Sequence, residues 1–201
     1  MASSTSSLRE NILITHLSNL VENGRIRNLE DLPRPIIFLS GTTNYNQDET
    51  RWQQALTHHL FTSSSSATSP SDITKSPSPL TIIDPYNPSW NSSWSEDPSD
   101  SRFVTQVNFE IHGLEVAGII IVGFIGSDVR EGNRGAGAAT LMELGVALGM
   151  KREGTTVLVC AEEGFWKEGY VRVLCERFGV ECTGSLDGLM KSLREEVEAR
   201  I

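Results

Sequence analysis

The sequence predicts an α/β fold: a doubly wound five-stranded parallel sheet with helices on both faces. Two observations carry this. Five short runs are apolar or β-branched nearly throughout instead of alternating, as strands covered on both faces must be. Stretches with helical spacing separate them, and strand alternating with helix leads to right-handed crossovers around a layered sheet.

In chain order, Leu8, Ile12, Ile14, Leu17 and Leu20 give the start of the chain a modest helical pattern. Residues 1–33 are therefore expected to be a helical extension that caps the sheet or packs on a partner, with the domain proper over residues 34–201. Ile36–Ser40 is the first buried strand. Thr50 can cap a helix reaching Leu60, with Trp52, Leu56 and Leu60 on one side. Residues 62–79, TSSSSATSPSDITKSPSP, are Ser/Pro-rich and too polar to pack, and are expected to form a mobile insertion. Leu80–Asp84 is the second strand. A helix from Ser101 to Val116, with Phe103, Val107, Ile111 and Leu114 as its stripe, leads into the third, Ile119–Phe124. Then come a helix within Ala136–Met150, a strand at Thr156–Cys160, a helix from Phe165 to Phe178 ended by Gly179, a weaker strand at Val180–Thr183, and a last helix from Ser185 to about Ala199. Flavodoxin-like and Rossmann-like sheets have this succession, and a strand order 2-1-3-4-5 is compatible with it.

Composition narrows the function. A chain of 201 residues suits one domain with an insert. Its formal charge of −9 and its lack of any basic run argue against a nucleic acid polymer as partner. Cys160, Cys175 and Cys182 lack metal spacing and read as reduced thiols in a cytoplasmic setting. His16, His58, His59 and His112 show no metal spacing either, so no metal is expected. The N-terminal MASSTSSLRE has no apolar signal core and no segment has membrane-spanning length, so no membrane partner is expected.

Glu143 is the most informative residue. From Ala136 to Met150 the chain reads AGAATLMELGVALGM, and Glu143 is the only ionisable side chain in it. Leu141, Leu144 and Leu148 form one apolar stripe, while Ala139, Val146, Ala147 and Met150 neighbour Glu143. A helix apolar nearly all round is expected to be buried on most sides, and a buried carboxylate is costly unless it is used. The alternative is an internal Glu satisfied by a backbone amide or by Arg134.

Ligands of open α/β sheets bind beyond the carboxyl ends of the strands. That rule selects Ser40, Gly41 and Thr42 after the first strand, and Asp84, Asn87 and Trp90 after the second, with Trp94 nearby. Tryptophan offers a stacking face and asparagine reads ring edges, which suits a planar ligand. On the following helix, Gln106, Glu110 and Gly113 share one side, so Glu110 can face the same crevice as Glu143. Two carboxylates on one cleft are the equipment of glycosyl chemistry. The run Gly132–Thr140 has the look of a dinucleotide fingerprint, but it starts well after the strand, lacks the third glycine and is followed by no Walker lysine. No nucleophile-elbow motif is present, and no cofactor is implied.

With those residues in view, the chain resembles the nucleoside 2-deoxyribosyltransferase-like family, especially its divergent branch common in fungi. The resemblance rests on IIFLSGTT (36–43), DPYNPSW (84–90), FVTQVNFEIHGLEVAGIIIV (103–122), TLMELGVAL (140–148) and VCAEEGFWKEGYVRVLC (159–175), in family order. It implies that Glu143 is the nucleophile and that Glu110 contacts sugar or base. Trp90, Trp94 and Trp166 become candidates to stack on the base, and Asn87 and Gln106 to hydrogen-bond it. The implied substrate is a small-molecule nucleoside or nucleobase, and the implied assembly a homodimer or higher homo-oligomer. Typical members carry an aspartate shortly before the nucleophile, where this chain has Gly137 and Ala138; Asp128 stands further upstream. Two functions follow as expectations: N-glycosidic chemistry by transfer or hydrolysis, or a nucleotide- or nucleoside-binding sensor without turnover.

Overall fold

The computed structural model describes residues 12–15, 21–22, 25–26, 28–42, 50–63, 79–88 and 95–200. In chain order the elements are β1 (Ile12–Thr15), β2 (Val21–Glu22), β3 (Arg25–Ile26), β4 (Ile36–Gly41), α1 (Trp52–Ser63), β5 (Leu80–Ile83), α2 (Ser101–Val116), β6 (Ile119–Phe124), α3 (Ser127–Arg130), α4 (Ala138–Gly149), β7 (Thr156–Ala161), α5 (Glu168–Phe178), β8 (Glu181–Thr183) and α6 (Leu186–Glu198).

The main sheet runs β1-β5-β4-β6-β7-β8, and every pairing in it is parallel. The five expected strands thus take the order 2-1-3-4-5. A sixth lies beside them. Where the Leu8–Leu20 spacing predicts helix, Ile12–Thr15 is an edge strand in register with Leu80–Ile83. Ile-Leu-Ile-Thr is rich in β-branched residues, and its pairing covers the edge that β5 would otherwise leave open. β2 and β3 form a small antiparallel pair. Of the expected 62–79 insertion, Thr62 and Ser63 close α1 and Pro79 precedes β5; residues 64–78 lie outside the described residues.

Pleating divides the core in two. Ile36, Phe38, Ile120, Val122 and Val159 face Leu114 of α2, Leu144 and Leu148 of α4 and Val171 of α5. Ile37, Leu39, Ile119, Ile121 and Leu158 face Trp52 and Leu56 of α1 and Leu189 and Leu193 of α6. Strands with both faces covered have no polar side, which is why these runs read as continuous apolar stretches. Helix ends follow local chemistry: the Asp100 side chain accepts from the Arg102 amide at the start of α2, Ser185 caps α6, and α5 stops at Gly179. α5 begins at Glu168 and not at Phe165, whose ring is buried against Phe124 with centroids 4.3 Å apart.

α4 departs from expectation. Its apolar sequence predicts burial on most sides, yet it buries only Thr140, Leu144, Ala147 and Leu148. Met142 is 69% and Val146 37% exposed, because the sheet covers one side of the helix and solvent meets the other. Among the described residues no helix is long and apolar enough to cross a membrane.

Candidate active site

β4 and β6 are neighbours at the centre of the sheet, and the chain leaves them toward opposite edges. The crevice beyond their carboxyl ends is the switch point of the fold. Ser40 is one residue from the end of β4 and fully buried. The pleat places it on the face of Phe38, beneath α4, and its Oγ donates to Glu143 Oε2 at 2.7 Å. Gly137 brings α4 in at this point. It is the N-cap in left-handed conformation at φ 71°, and a Cβ there would stand 3.0 Å from Phe124 Cδ1 and 3.1 Å from Thr42 Cγ2. A side chain at Gly137 would be strained and crowded.

Glu110 is held on the other wall. One turn further along α2, Gly113 lies so close to the Phe38 ring that a Cβ would stand 2.5 Å from it, so α2 packs low on the sheet. Gln106, only 2% exposed, donates through Nε2 to Glu110 Oε1 at 2.8 Å and to the Pro85 carbonyl at 2.7 Å. Its Oε1 accepts from Asn87 Nδ2 at 3.1 Å. Asn87, Gln106 and Glu110 therefore form one hydrogen-bonded chain.

Burial pushes the Glu143 carboxyl up to about 7, with the Ser40 hydrogen bond opposing and the Glu110 charge adding to the rise. Burial also raises Glu110, against its hydrogen bond from Gln106. A half-protonated glutamate near neutrality, in a crevice beside a second carboxylate, is the setting of acid, base or nucleophile chemistry.

Other expected residues are placed as follows. Asp84, at the end of β5, is gripped by both Arg51 guanidinium nitrogens at 3.2 and 2.7 Å and by the Tyr86 amide at 3.0 Å. The guanidinium lies 3.9 Å over the Tyr86 ring. Gly41 and Thr42 continue β4 past Ser40. Thr42 Oγ1 donates to the Ile125 carbonyl and accepts from the Ile125 amide, and its carbonyl takes the Trp52 indole N–H at 3.0 Å. These two residues brace the rim of the crevice. Trp166 is 36% exposed, but its indole N–H donates to the Ala136 carbonyl at 2.9 Å, and Lys167 Nζ sits 4.8 Å from its ring. Asp128, on α3, accepts from Asn133 Nδ2 at 2.9 Å. Trp90 and Trp94 lie outside the described residues. Among the described residues no cluster suited to a metal ion occurs.

Sequence reasoning missed Arg51 and Glu162. Arg51 carried a signal: a cation at a helix N-terminus opposes the helix dipole and calls for an anionic partner. Glu162 carried none, yet it accepts from the Gly126 amide and Arg130 at 3.1 and 2.9 Å, tying the loop after β7 to the loop after β6. A depression of about 350 Å³ bordered by Lys151, Thr156, Glu181 and Glu196 opens at the amino end of β7, away from this crevice.

The family model described as nucleoside 2-deoxyribosyltransferase like matches residues 34–165. The chain belongs to that family. The match takes in Ser40, Glu110 and Glu143 in a single stretch, and the family's nucleoside substrates make a glycosyl-transfer type of function the general assignment. Comparison with curated proteins returns no match. The structure carries the fold beyond the matched residues, since Val171, Cys175 and Val180 join one core and Leu189 and Leu193 the other.

Proposed function

We propose that the protein acts on the N-glycosidic bond of a nucleoside, with Glu143 as nucleophile. Ionised Glu143 attacks the anomeric carbon. The C1′–N bond breaks with its electron pair on the base, and the sugar is left as an ester on Glu143. A second base or water then releases it, giving transfer or hydrolysis. Glu110 accepts a hydrogen bond from the sugar and orients it. Gln106 works on the site through Glu110 and Asn87, because both its amide protons are already committed. The observation that carries this reading is the 2.7 Å bond from the buried Ser40 hydroxyl to the half-buried Glu143, whose carboxyl also feels the Glu110 charge. Incubation with deoxynucleosides and free bases, followed by chromatography, tests it. Base exchange or free-base release is the expected result, and loss of turnover by about a thousandfold or more in Glu143→Gln. A Glu143→Gln protein as active as the parent would remove this residue from the mechanism.

A second reading is favoured by Gly137. With no acidic residue just before Glu143, the crevice lacks one group for transfer, and catalysis needs several groups placed together. Nucleoside binding by calorimetry without any product would support a binding module instead.

The assembly proposed is a homodimer or larger. Met142 and Val146 on α4 and Ile111 on α2 leave an apolar surface open on one side of the sheet, and such surfaces mark interfaces, most often two-fold ones.

A further inference from the structure

The segment from Phe124 to Gly137 joins β6 to α4, and glycine punctuates it: Gly126, Gly132, Gly135 and Gly137 all have positive φ. Such a segment loses much backbone freedom on ordering, and it keeps its shape only where outside contacts fix it. α4 adds little support of its own, because its N-cap, Gly137, offers no side chain to bond the first amides. Yet this helix has to be placed closely. Glu143 stands in its second turn, and the carboxylate meets Ser40 at 2.7 Å.

The loop after β7 supplies those contacts along its length. Glu162 donates its amide to the Phe124 carbonyl at 3.1 Å, and its carboxylate accepts from the Gly126 amide at 3.1 Å and from Arg130 at 2.9 Å. A Cβ at Gly164 would stand 2.8 Å from the Arg130 carbonyl oxygen, so the two backbones touch there. The Phe165 ring stacks on Phe124. Trp166 closes the series: its indole N–H donates to the Ala136 carbonyl at 2.9 Å, one residue before the N-cap of α4. The indole ring is itself held, with Phe165 edge-on at a centroid distance of 6.3 Å and Lys167 Nζ over it at 4.8 Å.

We propose that Trp166 is a positioning residue: by holding the Ala136 carbonyl it fixes the start of α4, and so keeps Glu143 within reach of Ser40 and of the substrate. It serves the helix and not the base. Without the indole bond, the glycine-rich approach to α4 loses its last anchor and the helix start drifts. A displacement on the order of 1 Å at a reacting group costs about a hundredfold in rate. A hydrogen bond of 2.7 Å stretched by as much is no longer made. The role assigned to Trp166 rests on the reading of Glu143 as the nucleophile.

The test uses the full chain and follows the Glu143 carboxyl by carbon NMR across a pH series. The Ser40 hydroxyl on β4 lowers the midpoint of that group, while burial and the Glu110 charge on α2 raise it. Trp166→Phe keeps a ring but removes the indole donor, and should move the midpoint up, toward that of Ser40→Ala. In a Ser40→Ala background the same change should add little, because the bond it disturbs is already gone. In exchange assays Trp166→Phe should lower kcat by about tenfold and leave KM within roughly twofold. Adenine, measured by calorimetry, should bind Trp166→Ala as it binds the wild type. An unmoved midpoint in Trp166→Phe, shifts that add in the double variant, or adenine binding weakened by about tenfold or more in Trp166→Ala would each overturn the proposal. The carboxyl titration needs no turnover, so a shifted midpoint in a protein that leaves nucleosides intact upholds the positioning and ends the N-glycosidic reading alone.

Discussion

Ser40 Oγ donates to Glu143 Oε2 at 2.7 Å across 103 residues of chain. One hydroxyl at the end of a central strand thereby sets both the direction of the carboxylate and its proton affinity, since this bond lowers the affinity that burial raises. Ser40→Ala removes the hydrogen bond that opposes burial in setting the Glu143 proton affinity. If Glu143 must be ionised to attack, activity rises with pH through about 7 in the wild type. In Ser40→Ala the rise moves to higher pH, with a deficit near pH 7 that narrows by pH 9. A pH–kcat/KM profile checks this, and parallel profiles would disconnect Ser40 from the titration.

Glu143 is placed at a cost in stability. Its folded pKa of about 7 stands above the ordinary 4.5, so its favourable contribution is complete below pH 4.5 and disappears as pH rises through 7. Glu143→Gln cannot ionise. Its stability relative to the wild type should therefore improve between pH 5 and pH 8, by roughly 1–3 kcal/mol. Denaturant melts at the two pH values measure the difference, and an unchanged gap would mean that the carboxylate is not strained by burial.

Gln106 fills two acceptors and one donor in a nearly closed site. Gln106→Leu leaves the Pro85 carbonyl and the Asn87 amide without it, and should cost about 2 kcal/mol. It also frees Glu110 from the hydrogen bond that lowers its pKa, so Glu110 should titrate higher in the variant. Urea denaturation reads the first effect and carboxyl NMR the second.

Arg51 and Asp84 form a two-pronged ion pair with side chains 11% and 7% exposed. Arg51→Met keeps much of the packing over Tyr86 but strips the carboxylate of its cation, and should destabilise by about 3 kcal/mol. The double variant Arg51→Met with Asp84→Asn should recover part of that loss. Thermal or denaturant unfolding of the set decides it.

A lysine on the open face of α4 tests assembly. Met142 is 69% exposed in the single chain, so Met142→Lys should leave folding intact while weakening any interface on that helix. Light scattering of the wild type should give a multiple of the 22.1 kDa chain mass, and the variant a mass near that of one chain. A wild type that stays at one chain mass at all concentrations removes the proposed dimer.

The sequence by itself determined the five core strands, most helix spans and the family, because parallel strands covered on both faces must be apolar throughout and helix caps are local chemistry. Ile36–Gly41, Ile119–Phe124 and α2 were legible for that reason. Glu143 was legible too, as the lone charge in an apolar helix. The strand at Ile12–Thr15 was not, since four residues satisfy a helical or an extended pattern equally and only the open edge of β5 chooses between them. Nor could any local pattern show that Gln106 spends its amide on Pro85, that Arg51 grips Asp84, or that Glu162 reaches Arg130. Those partners are far apart in sequence. Hydrogen-bond and ion-pair choices depend on distances of a few ångströms, which exist only once the crossovers have brought the strand ends together.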